Sequence, residues 1–284
     1  MTADHHSPQA ADETAVEGWR PAPAGAASMV LRAQSIISRA ISKHGRAVLL
    51  FSGGMGSLAV LYLTRPWWDR IHVGWGNAGD EYPETRELMD QVKAMVPNFH
   101  EVRGNAIKTQ ADTGWPVDML PQGSTTIGAH IDAGVAHQPM VLQIDCCATN
   151  LWLPLERAIA KSRISLVIRG QRDNRRLTCP KISDGQVVSG LTYANPIGDW
   201  DSDQVVSYLE SIGVAIPRQH RYGAALDCMH CTAALHQGPG RARYLRDHHP
   251  EAAQEFQRRI RIIDEAQQRE SLYLRALIES PSAK

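Results

Sequence analysis

The spacing of apolar residues changes several times along the chain, and each change marks an element. Ala47 to Phe51 is a continuous apolar, β-prone run that ends in Ser52-Gly53-Gly54-Met55-Gly56-Ser57. A helical pattern through Leu58, Leu61, Tyr62 and Leu63 follows. This stretch predicts a strand, a glycine-rich turn and a helix start. Upstream, apolar residues recur at helical spacing from Met29 to Ile41, with Lys43-His44-Gly45 as a stop, whereas residues 1–27 have no such period and predict a flexible tail. Pro66 ends the second helix, and Ile71 to Trp75 predicts a strand carrying Gly76-Asn77-Ala78-Gly79-Asp80-Glu81 at its end. Pro83 to Val96 predicts a helix, with Pro at its start, Glu84 and Glu87 in its first turns, and Leu88, Val92 and Met95 on one side.

From Asn105 to Pro139 the pattern dissolves, which leaves either a functional lid or short elements without a clear period. Helical character returns from Thr149 to Lys161. Ile164 to Ile168 then predicts a central strand that delivers Arg169-Gly170-Gln171-Arg172-Asp173-Asn174-Arg175-Arg176 to the same edge as the glycine turn. Gln186 to Ser189 and Leu191 to Tyr193 predict short strands, and Asn195-Pro196 precedes a helix from Ser202 to Ile212 capped by Asp201-Ser202. Gly238-Pro239-Gly240 is a breaker, and Pro250 to Ile278 predicts a long helix that packs on its own domain or on a second copy of the chain. Strands alternating with helices give an α/β fold, a parallel twisted sheet with helices on both faces, plus a C-terminal helical segment.

Composition narrows the partners. Thirty basic residues balance thirty acidic ones, so net charge gives no indication of nucleic acid. No apolar run reaches the length of about 20 residues that spans a membrane, and a cytoplasmic location is expected. In that reducing compartment the five cysteines, Cys146, Cys147, Cys179, Cys228 and Cys231, suggest metal or redox chemistry before disulfides.

Three constellations could carry chemistry. The glycine turn before a helix offers free backbone N–H groups and a positive dipole end to a phosphate or sulfate, although a ligand-free turn satisfies the same pattern. It has neither the spacing nor the lysine of a Walker loop. Arg169, Arg172, Arg175 and Arg176 beyond a strand would make an oxyanion clamp, or a solvated basic turn. Cys146-Cys147 and Cys228-x-x-Cys231, about 80 residues apart, could close around an iron–sulfur cluster; four-cysteine zinc is the main alternative, to which an adjacent pair is poorly suited. Cys179 is expected to be a small buried residue.

In this order and spacing the motifs resemble the sulfonucleotide reductase family, within the PP-loop group of adenine nucleotide alpha hydrolases, over Val48 to Leu235. Ser52 to Ser57 is similar to the SGGxDS phosphate loop, and Gly79 with Tyr82-Pro83-Glu84-Thr85 to the "TG…fPET" loop. Gly170 to Arg176 resembles the arginine loop, and Asn195-Pro196 with Trp200 the "NP…DW" motif. Cys146-Cys147, followed by Pro154-Leu155 and then Cys228-x-x-Cys231, resembles the CC…CxxC signature of the adenylylsulfate-using branch. The resemblance implies a PP-loop, Rossmann-like nucleotide-binding domain over 28–215 and a C-terminal cluster-binding and helical segment over 216–284. It implies a 4Fe-4S cluster on Cys146, Cys147, Cys228 and Cys231. It also implies an adenine nucleotide (adenylylsulfate, its 3′-phosphate or ATP) held by Ser52, Gly53, Gly54, Ser57, Gly79, Arg172 and Arg176, with an external thiol or other electron donor.

The chain departs from the family at three places. Gly56 stands where the ATP pyrophosphatases of the group have aspartate, and Asn150-Leu151 replaces a basic pair beside the double cysteine. No cysteine follows Cys231, where reductases carry the thiolate that attacks sulfur. No catalytic residue is therefore assigned. The resemblance supports a sulfonucleotide reductase-like oxidoreductase of sulfur metabolism. One alternative is an ATP-dependent PP-loop sulfurtransferase, with Asp80 or Glu81 holding magnesium in place of the missing aspartate. The other is a non-catalytic nucleotide- or redox-binding module.

Overall fold

The computed structural model describes residues 24–131, 137–172, 181–223, 228–235 and 238–279; the predicted tail up to residue 23 and the side chains of Arg175, Arg176 and Cys179 lie outside them. Among the described residues six strands form the main sheet: β1 (Ala47–Leu50), β2 (Ile71–Asn77), β3 (Phe99–Arg103), β6 (Leu166–Arg169), β7 (Val187–Val188) and β8 (Leu191–Ala194), ordered β3-β2-β1-β6-β8-β7. Five are parallel and β7 returns antiparallel on β8. The order reverses between β1 and β6, where open sheets of this kind form a crevice beyond their carboxyl ends.

Apolar side chains cover both faces. On one, α1 (Ala24–Lys43), α2 (Met55–Leu63), α3 (Pro83–Met95) and α8 (Ser202–Ser211) bury Ile37, Leu61, Met89 and Leu209 against Leu49, Phe51, Val73 and Ile168. On the other, α7 (Leu153–Lys161) sets Ile159 against Val48 and Val167. Each such fully buried aliphatic or aromatic side chain contributes roughly 1.5–3 kcal/mol. The α8 terminus carries a full capping box: Asp201 accepts from the Gln204 N–H at 2.8 Å, and the Gln204 side chain accepts from the Asp201 N–H at 2.8 Å.

The segment from Asn105 to Pro139 contains short elements. These are α4 (Ala106–Thr113), capped by Asn105, β4 (Trp115–Val117) and α5 (Thr126–Ile131); β4 pairs in parallel with β5 (Met140–Leu142) as a separate two-stranded sheet. The double cysteine lies on α6 (Gln143–Cys147), which runs through a π-helical turn, Ala148–Trp152, into α7. Past the expected breaker a further helix forms, α9 (Gly240–His248), and then α10 (Pro250–Glu279). The first half of α10 packs on the same chain through Ala252, Ala253, Phe256, Ile263 and Ala266, while Leu272, Leu274, Leu277 and Ile278 near its end are exposed. No described helix is long and apolar enough to cross a membrane.

Candidate functional site

At the end of β1 the chain enters the turn with Gly53 at φ +79°, a conformation that glycine adopts without strain. Ser57 Oγ donates to the Gly54 carbonyl at 2.8 Å and accepts from the Ser52 N–H at 3.3 Å, while Ser52 Oγ accepts from the Gly54 N–H at 3.4 Å. Two hydroxyls thus fix the turn from inside. No side chain caps the start of α2, so its first N–H groups are left for a ligand to meet. Gly170, in the loop after β6, packs directly on this turn: a Cβ on Gly56 would stand 2.5 Å from the Gly170 carbonyl oxygen. The two backbones touch because neither residue has a side chain. A third contact comes from a 3₁₀ turn at Arg218–Tyr222, where His220 Nε2 lies 3.2 Å from the Gly53 carbonyl oxygen.

Arg172 is buried, with Nη1 donating to Ser202 Oγ at 3.1 Å at the start of α8. Asn195, after β8, and Gln171, after β6, both donate to the Ile182 carbonyl, at 2.7 and 3.1 Å. Among the described residues the buried carbonyl oxygens of the Gln171, Asn195 and Gln219 side chains have no hydrogen-bond partner. The glycine turn, the loop after β6 and the Asn195 loop therefore share one polar crevice. Gly79, at φ +84°, packs on Gly104, where a Cβ would meet that residue's oxygen at 2.9 Å. Its N–H donates to Asn77 Oδ1 at 2.8 Å, and Asn77 Nδ2 donates to Glu101 Oε1 at 2.7 Å. Desolvation pushes the Glu101 carboxyl up, but hydrogen bonds from Asn77, Arg86 and Arg103 outweigh it and hold the group at about 2.

The four cysteines predicted as ligands line one small pocket, with Ala78, Ala106, Gln110, Pro116, Asn150 and Leu151 completing its wall. All four are free of disulfides. Among the described residues no three His, Cys, Asp or Glu side chains are drawn together as for a single metal ion. Burial, the Cys231 sulfur and Asp80 push the Cys146 thiol up to about 11, against a hydrogen bond from Asn150. The donor set suits an iron–sulfur cluster: four soft sulfurs in a wall that is otherwise largely apolar, with no carboxylate or imidazole on it among the described residues. Among the described residues the buried Tyr82 Oη has no hydrogen-bond partner, and Arg241, Cys231, Asp80 and Cys228 are the charges that act on it.

Sequence reasoning missed the braces of this cavity. Asn150 is buried; its Nδ2 donates to the Cys146 carbonyl at 2.9 Å and lies 3.8 Å from the Cys146 sulfur, while its Oδ1 accepts from the Asn105 N–H at 3.0 Å and from Thr109 Oγ1 at 3.1 Å. The residue that replaces a basic side chain in the motif thus ties the double cysteine to α4. The C-x-x-C segment is held by Asp80, which accepts from the His230 N–H at 2.9 Å and meets His230 Nδ1 at 2.8 Å. Asp80 is therefore engaged with His230, and Glu81 is paired with Arg86; these are the two carboxylates named for magnesium under the sulfurtransferase alternative. The Cys231 and His230 carbonyls accept from Arg241 of α9 at 2.5 Å and Arg259 of α10 at 3.0 Å. The only advance signals were the position of His230 between the cysteines and the departure at Asn150; His220 gave none.

Comparison with known proteins bears on these arrangements. The family model described as the phosphoadenosine phosphosulfate reductase domain matches residues 46–234. An adenosine 5′-phosphosulfate reductase of Rhizobium tropici is 28% identical over 169 residues, 58% of this chain and 84% of that protein. A phosphoadenosine 5′-phosphosulfate reductase of Gloeobacter violaceus is 26% identical over 215 residues, 73% of this chain and 81% of that protein. Among solved structures, the phosphate complex of phosphoadenylyl-sulfate reductase from Candida auris is 16% identical with a TM-score of 0.47, covering 74% of this chain and 97% of that one. The U34-tRNA thiolase of Methanococcus maripaludis with its 4Fe-4S cluster is 11% identical with a TM-score of 0.43, covering 87% and 80%.

Proposed function

The chain belongs to the phosphoadenosine phosphosulfate reductase family, and from that premise we propose that it reduces an adenine sulfonucleotide and carries a 4Fe-4S cluster on Cys146, Cys147, Cys228 and Cys231. In the proposed reaction the bond between the sulfuryl sulfur and the nucleotide's phosphate oxygen breaks. The sulfur takes two electrons and leaves as sulfite, and the nucleotide leaves as its monophosphate. An external pair of thiols supplies the electrons, becomes a disulfide and gives up two protons. The N–H groups of the glycine turn, with Ser52, Gly53, Gly54 and Ser57, bind the phosphate or sulfate; Arg172 and Arg176 offset its charge, and the Gly79 loop borders the nucleotide. When bound, the cluster would supply a fixed local charge beside the nucleotide.

The observation that carries this reading is the cavity walled by all four cysteines at the end of β2, on the sheet edge that also bears the glycine turn. Gly56, with no room for a side chain against Gly170, supports binding a nucleotide without splitting ATP. Sulfite release from labelled adenosine 5′-phosphosulfate with a dithiol, run beside pyrophosphate release from ATP, tests it. Sulfite without pyrophosphate is expected. Pyrophosphate without sulfite would make the protein an ATP-dependent sulfurtransferase, and neither product with intact binding would make it a nucleotide- or redox-binding module.

A further inference from the structure

The Asp80 side chain is 2% exposed, and both its oxygens face one residue of the C-x-x-C segment. Oδ2 accepts from the His230 N–H at 2.9 Å, Oδ1 meets His230 Nδ1 at 2.8 Å, and the Asp80 carbonyl accepts from the Met229 N–H at 2.8 Å. Met229 and His230 are the two residues between Cys228 and Cys231. Three contacts from one residue thus fix the peptide that sets where both sulfurs point. Asp80 also follows Gly79 directly, so the position of its backbone is the position of the loop after β2. That loop has little freedom of its own: Gly79 is bonded to Asn77, and the Ala78 carbonyl accepts from the Ala106 N–H at 2.7 Å. Ala78 and Ala106 are both in the wall of the cysteine cavity.

We propose that Asp80, acting through His230, is the positioning residue that couples occupancy of the cysteine cavity to nucleotide binding at the Gly79 loop. A group held by Cys228 and Cys231 fixes Met229 and His230, these fix Asp80, and Asp80 holds Gly79 in the conformation that borders the nucleotide. By linkage, the nucleotide must stabilise the loaded cysteine site to the same degree. The inference rests on the proposed function, because it requires both a cluster and a nucleotide.

The test uses the iron-loaded protein under anaerobic conditions. Iron content and calorimetric binding of adenosine 5′-phosphosulfate are read first; a wild-type protein that lacks either contradicts the proposed function, and the coupling falls with it. Loss of iron to a chelator is then timed with and without saturating nucleotide. We expect the nucleotide to slow that loss about fivefold or more in the wild type, in the range of ordinary coupling between sites, and to leave it within about twofold in Asp80→Asn. A purely structural role would speed iron loss equally with and without nucleotide and leave the ratio at its wild-type value. Should Asp80→Asn fail to fold, His230→Gln removes the ring contact while keeping the backbone bond, and the same loss of slowing is expected. A wild type without slowing, or a variant that slows as the wild type does, overturns the proposal.

Discussion

Gly56 and Gly170 meet where β1 and β6 end, with the backbone of each occupying the space of the other's missing side chain. Reinstating the aspartate, as Gly56→Asp, should therefore destabilise the fold by about 1–3 kcal/mol through overpacking, read as a lower thermal midpoint; an unchanged midpoint would mean that the β6 loop yields freely. Asn150 is the second informative residue, because its amide satisfies three backbone or side-chain partners in a buried setting. Asn150→Ala leaves the Asn105 N–H and the Thr109 hydroxyl without their acceptor and should lower stability by about 1–3 kcal/mol, measurable by denaturant unfolding. At this scale the sequence was legible where chemistry is local: the serines and glycines of the turn act on each other within six residues. It was silent on the pairing of Asp80 with His230, which are distant along the chain and meet only because the C-terminal segment folds back over β2.

The loop between β2 and α3 shows how an element is held by charge. Glu101 on β3 accepts from Asn77, Arg86 and Arg103, and Arg86 also pairs with Glu81 and lies over the Trp75 ring with 4.7 Å to its centroid. Since the folded-state value of Glu101, at about 2, lies below its ordinary 4.5, its contribution to stability is complete above the ordinary value and is lost as pH falls toward about 2. Glu81 and Glu84 are lowered too, by Arg86 and by Tyr244 respectively against the cost of burial. Thermal midpoints recorded from pH 5 to 2.5 should fall less steeply in Glu101→Gln than in the wild type; parallel curves would remove Glu101 from the account. The strand that carries this carboxylate was not legible. In Phe99–Arg103 no side chain is buried, so an edge strand leaves no continuous apolar run. By contrast Ala47–Leu50 and Leu166–Arg169, covered on both faces, are apolar throughout or nearly so and were read directly. The three-residue β4 and the polar α9 are too short or too charged to impose a period.

Across the whole molecule, the sheet reverses strand order between β1 and β6 and so sets the glycine turn beside the loop after β6, while Ala78 of the loop after β2 lines the cysteine pocket. The cysteine cavity is built late in the chain's logic: α6 supplies one pair, residues 228–231 the other, and α9 and α10 clamp the second pair through Arg241 and Arg259. Order and spacing of the motifs were enough to identify the parts, because the PP-loop sheet fixes where strand ends fall. They could not say what braces the parts, because Asn150, Asp80 and the two arginines act only in three dimensions. Removing one sulfur should expose this dependence: Cys228→Ser is expected to abolish iron retention while leaving the sheet domain folded, as judged by circular dichroism.

The central claim is that the four cysteines hold an iron–sulfur cluster at the nucleotide-binding edge of the sheet. The most direct measurement is the iron, sulfide and zinc content of the protein purified without oxygen. A brown protein with about four iron and four sulfide per chain is the predicted result, and a colourless protein holding zinc on the same cysteines would contradict it.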